Sequence, residues 1–65
     1  MTKIYFAMSE FDIGCFEWDS IYFNEEKAIE RVLTIHKSEL NYLKSLEERI
    51  VYAKEHYVFE ADVLP

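Results

Sequence analysis

Two short stretches place carboxylates at a spacing that could do chemistry. In Glu17-Trp18-Asp19 and again in Glu60-Ala61-Asp62 the acids stand two residues apart, which on a β-strand sends both side chains to one face. Acid–base catalysis or divalent-ion binding by such pairs needs a concave, partly dry site that drives the pKa values apart. A chain of 65 residues offers little concavity, so no enzyme activity is expected. Regularly spaced carboxylates on an open sheet face could instead imitate nucleic-acid phosphates, or could simply keep a small sheet soluble and stop it pairing edge to edge. The expected acidic surface comprises Glu17, Asp19, Glu60 and Asp62, with Tyr5 beside them and Glu10 and Asp12 at the rim.

The other reactive residue types are isolated. His36 and His56 lack the i, i+4 spacing of a metal pair, and His36 falls on an apolar stripe, so both read as core or boundary residues. Cys15 is the single cysteine; with no basic or histidine neighbour to lower its pKa, it reads as a reduced, half-buried thiol. No disulfide, structural zinc site, metal or cofactor is expected. The aromatics Tyr5, Trp18, Tyr22, Tyr42, Tyr52 and Tyr57 exceed what so small a core needs, and Trp and Tyr are frequent interface anchors. Trp18 is assigned to the core, while Tyr42 and Tyr52 are expected to be exposed.

These residues must be positioned by a few elements. Residues 3–11 are rich in aromatic and branched side chains and end at Asp12-Ile13-Gly14, which reads as a strand and a turn. In this strand Ile4, Phe6 and Met8 form the more apolar parity and are expected to face the core. A second strand over 15–23 makes an antiparallel hairpin. It contains a conflict of alternation: Phe16 and Trp18 lie on one parity, Ile21 and Phe23 on the other, which a bulge near Asp19-Ser20 would resolve. Asn24 is a good N-cap, followed by Glu25 and Glu26 where a helix dipole favours negative charge. From Glu25 to about Glu55 no Gly or Pro intervenes, and Ile29, Val32, Leu33, His36, Leu40, Leu43 and Ile50 form a helical stripe.

Thirty-one helical residues would extend about 46 Å, against about 28 Å for a compact domain of this length. The helix must therefore break or protrude. Ser38 and Ser45 are candidate internal caps, and Ser45 with Glu48 has the form of a capping box. A second apolar line, Ala28, Ile35, Tyr42, Leu46 and Ala53, widens the arc beyond what one sheet covers. Ile35, Tyr42, Leu46 and Tyr52 are therefore candidates for a partner or dimer surface. Residues 56–65 give a third strand. The sum is one α+β domain over 1–65: a two-layer β-β-α-β arrangement, with a three-stranded, largely antiparallel sheet and one long or broken helix.

Composition narrows the function. The chain is 51% apolar and 17% aromatic with one Gly and one Pro, too apolar for disorder. It has neither a membrane-spanning apolar run nor a signal-peptide layout, which points to the cytoplasm. A net charge of -6 disfavours direct nucleic-acid or anionic-membrane binding and favours a protein partner with a basic surface. Burying only about 60% of its unfolded surface, the domain also has reason to self-associate.

Ile4-Tyr5-Phe6, Phe23-Asn24-Glu25-Glu26-Lys27-Ala28 and Val58-Phe59-Glu60-Ala61-Asp62-Val63 give the chain a layout that resembles small uncharacterised strand-strand-helix-strand proteins of bacteria and their phages. Its helical segment is longer than theirs. In size, acidity and lack of catalytic motifs it is also similar, as a class, to phage-encoded inhibitors of host or defence proteins. The resemblance implies an inhibitory binding protein acting in the host cytoplasm on a basic, nucleic-acid-handling site. The alternative is a homodimeric interaction or assembly module without mimicry.

Overall fold

The computed structural model describes residues 2–12 and 15–63, except for the side chains of Phe11 and Asp12. The expected turn at 13–14 and the rim position of the Asp12 side chain lie outside the described residues. The elements are β1 (Thr2–Asp12), β2 (Cys15–Tyr22), α1 (Glu25–Ile35), α2 (Lys37–Leu40), α3 (Leu46–His56) and β3 (Val58–Val63). They form an α+β domain with an antiparallel sheet in the order β2-β1-β3, and the helices cover one face.

The helical segment breaks and folds back rather than protruding. Asn24 starts α1 by accepting hydrogen bonds on Oδ1 from the Glu26 and Lys27 amides, at 2.8 and 3.3 Å. At His36 the backbone leaves helical geometry (φ -105°, ψ 24°). After the short α2, Ser45 adopts an extended conformation (φ -114°, ψ 155°) and its Oγ accepts from the Glu48 amide, capping α3. Ser45 is thus the working internal cap; Ser38 lies inside α2. Arg49 steadies the intervening loop, its Nε donating to the Leu43 carbonyl at 3.0 Å.

The core lies between the helices and the Tyr5/Ala7 face of β1. Ala7, Ala28, Val32 and Ala53 are completely buried, with Ile29, Leu40, Tyr57 and Val58 around them and Tyr5, Tyr22, Leu33 and Ile50 packed at the margin. Small side chains on both layers let the helices approach the sheet closely, and the tyrosine rings wall the sides. This corrects the expected parity of β1. Ile4 and Phe6 lie half-buried on the opposite face, while Met8, on the same parity, is buried as expected, at 8% exposure; both parities of β1 are apolar, and it is alanine at the centre that admits the helix layer.

The bulge is where the alternation demanded it. Ala7 pairs with Ser20 and Met8 with Trp18, leaving Asp19 as the extra residue on β2. It brings Phe16, Trp18 and Ile21 onto one face, as cross-strand partners of Glu10, Met8 and Phe6. That face is the open one, so the assignment of Trp18 to the core is also corrected.

His36 solves a local problem of sheet termination. Met8 donates its amide to the Tyr57 carbonyl at 2.8 Å, but the chain turns into β3 there and supplies no further ladder partner. His36 Nε2 lies 2.8 Å from the Met8 carbonyl. A carbonyl only accepts, so Nε2 is the donor. The imidazole stacks on Tyr57 at 3.8 Å with planes 18° apart, while Nδ1 is buried without a hydrogen-bond partner among the described residues. His36 is a core residue, as its stripe position suggested.

Candidate functional site

The open sheet face is built from aromatic and branched residues of all three strands. Across its middle runs a row made by Phe6 of β1 paired with Ile21 of β2 and Phe59 of β3. Met8 paired with Trp18, and Ile4 paired with Ala61, form the neighbouring rows. Phe6 and Trp18 meet edge to face at 5.9 Å, and Phe16 reaches across to Phe59 at 6.3 Å and to Tyr57 at 6.0 Å. The rings brace one another across the face.

Much of this surface faces solvent. Trp18 is 61% exposed, Phe59 46%, Ile21 43% and Phe16 40%. Taking about 150–250 Å² for a whole aromatic side chain, these exposures with those of their neighbours leave roughly 500 Å² of apolar surface on one side. That is of the order of a tenth of the molecule's 4927 Å². Among the described residues of this face the charged one is Glu10, at the end opposite Phe16. Single exposed apolar residues need no explanation, and a contiguous aromatic patch of this size is of the order of the largest patch on a typical monomer, which is often functional.

The carboxylates are placed otherwise than expected. Glu17, Glu60 and Asp62 pair with Ser9, Tyr5 and Lys3, on the parity that faces the helices, and stand at the margins the helices leave uncovered. Asp19, displaced by the bulge, turns toward α1. Arg31 grips it through Nε at 2.7 Å and Nη2 at 3.2 Å, and Ser20 Oγ donates to it at 2.9 Å. The Arg31 and Ser20 hydrogen bonds hold the Asp19 carboxyl below its usual range. Glu60 lies 3.5 Å from Lys3 Nζ, whose pKa the nearby Glu60 charge raises. The expected acidic outer face is therefore replaced by an apolar one, and two of its four carboxylates are engaged by cations. Tyr5 is half-buried against the core.

On the helix side the candidate residues are divided. Tyr42 and Leu46 are exposed, while Ile35 and Tyr52 are half-buried. Tyr42 stands in the loop before α3 and meets Tyr52 edge to face at 6.4 Å; burial, then its hydrogen bond with Tyr52, raises its phenol pKa. Tyr52 also contacts His56 at 4.2 Å and Tyr57 at 6.1 Å, so its ring joins the core margin. Cys15 is exposed rather than half-buried.

Phe6, Phe16 and Phe59 lie on the open face beside Trp18, where the sequence reading does not expect them. The signal that points to them is the bulge itself, which makes β2 apolar on one face throughout and leaves the other to Glu17, Asp19 and Ser20. Among the described residues no group of three or more His, Cys, Asp or Glu could hold a metal ion, and no helix is long and apolar enough to cross a membrane. No family model, curated protein or solved structure matches the chain.

Proposed function

We propose that the chain is a non-catalytic interaction module that works as a pair of copies, joined sheet to sheet through the open aromatic face. The observation that carries this reading is the contiguous, almost uncharged surface around Trp18, Phe6 and Phe59. A two-fold pairing needs a patch complementary to itself, and an apolar face meets that requirement where a charged one repels its copy. Two such faces would bury about 1,000 Å² together, at the small end of specific interfaces. The pair is therefore weak, with a dissociation constant of about micromolar.

A second copy also supplies what a domain of this length lacks, a further layer of buried apolar area. The helix layers then face outward on both sides, and the exposed thiol of Cys15 suits a reducing, cytoplasmic compartment. Inhibition of a host or defence protein through a basic surface rests on the net charge of -6 alone, because the carboxylates do not share the open face.

The single tryptophan, Trp18, reports on the pairing directly. Its emission should be blue-shifted at high protein concentration and move to the red on dilution through the micromolar range, as the indole returns to water. Emission unchanged across the series, at the wavelength of exposed indole, would contradict the pairing.

A further inference from the structure

The helix layer, which sheet-to-sheet pairing leaves open, carries a groove with charge of opposite sign at its two ends. Two clefts of about 310 and 500 Å³ share Leu33 of α1 and Leu46 of α3, and both volumes fall in the range of small-molecule sites. Lys37 and Arg49 line the first, with no carboxylate among its lining residues. Glu26 and Glu30 stand at the second, where Ile29 and Ile50 continue the apolar floor.

The chain carries 13 acids and 7 Lys and Arg. Among the described residues, the cations in ion pairs with carboxylates are Lys3, Arg31 and Lys54. Lys27, Lys37, Lys44 and Arg49 are not, and of these Lys37 and Arg49 line the first cleft. Arg49 is half-buried, and the bond from its Nε to the Leu43 carbonyl fixes the guanidinium plane while leaving the two terminal nitrogens for a ligand. Such a fork matches a carboxylate held by two parallel hydrogen bonds.

We propose that this groove binds a small amphipathic carboxylate. The anion sits between Lys37 and Arg49, and its aliphatic chain lies over Leu33 and Leu46 toward Ile29 and Ile50. Glu26 and Glu30 set the direction, since they repel an anion at the far end.

The test is an NMR titration of the full chain with hexanoate, with acetate and hexylamine as controls for charge alone and chain alone. Saturable shifts at the Leu33, Leu46 and Arg49 amides with hexanoate, and much weaker ones with either control, are expected. Lys37→Gln, at an exposed position, should weaken binding by up to about fivefold, and Arg49→Gln by about tenfold or more. Circular dichroism checks that each variant is folded; should Arg49→Gln disturb the loop, Lys37→Gln decides alone. The proposal is overturned if hexylamine shifts the same amides as strongly, if hexanoate perturbs Trp18 and Phe59 instead, or if Lys37→Gln leaves the hexanoate affinity unchanged.

Discussion

Replacing His36 tests how the sheet is terminated. In His36→Phe the ring stacked on Tyr57 is retained, while the donor to the Met8 carbonyl is lost. A buried carbonyl left without a partner costs about 1–3 kcal/mol. His36→Ala also removes the stack, worth about 0.5–1.5 kcal/mol, so the two variants should lie roughly 1 kcal/mol apart. Both effects are large for a chain this short, whose whole stability is about 3–10 kcal/mol at 0.05–0.15 kcal/mol per residue. Geometry adds a finer distinction. The bond is made by Nε2, whose place a Gln amide can take and the shorter Asn amide cannot, so His36→Gln should be more stable than His36→Asn. The assay is urea unfolding followed by circular dichroism at one fixed protein concentration, because the proposed pairing would make stability depend on concentration. A His36→Phe protein within about 0.5 kcal/mol of the parent would refute the claim that the imidazole satisfies Met8.

Ser45→Ala should destabilise by about 1 kcal/mol, since Ser45 Oγ caps α3. Ser38→Ala should be close to neutral, as Ser38 lies inside α2 and makes no capping bond; equal losses in urea unfolding would mean that the Ser45 cap is not what sets the break. Asp19 has a folded-state pKa below the ordinary 3.8 because Arg31 and Ser20 bond its ionised form. The folded state therefore holds that proton less tightly, and the bridge's contribution is present above pH 3.8 and lost as pH falls through the lowered value. Thermal melts of Asp19→Asn should lack this component of acid destabilisation, and an identical acid limb in both proteins would contradict the assignment.

The sequence was most informative where backbone chemistry acts locally. Asn24 and Ser45 were legible as caps because a side-chain oxygen two or three residues before a free amide serves the same purpose in any fold. The bulge at Asp19 was legible because two apolar parities cannot share a flat strand. What the sequence left open was which side of the finished sheet the helices would cover. Ile4 and Phe6 on one face and Tyr5 and Ala7 on the other are both apolar, and the decision fell to the closeness of packing that Ala7, Ala28 and Ala53 permit, a property of three segments together. That one inversion moved Glu17, Glu60 and Asp62 from the open face to the helix-side margins and brought Trp18 out of the core. Thirty-one residues could not run straight through a small domain, and the extra apolar arc expected to need a partner helix is partly met by α3 packing on α1.

The most direct test of the account is molar mass by light scattering over a concentration series, comparing the parent chain with Trp18→Glu. Trp18 is exposed, so the change should leave the fold intact by circular dichroism while placing a charge within the proposed contact. The account predicts that the parent approaches twice the chain mass as concentration rises through the micromolar range, and that the variant stays at the single-chain mass. A parent that remains a monomer throughout, or a variant that pairs as readily as the parent, would contradict it.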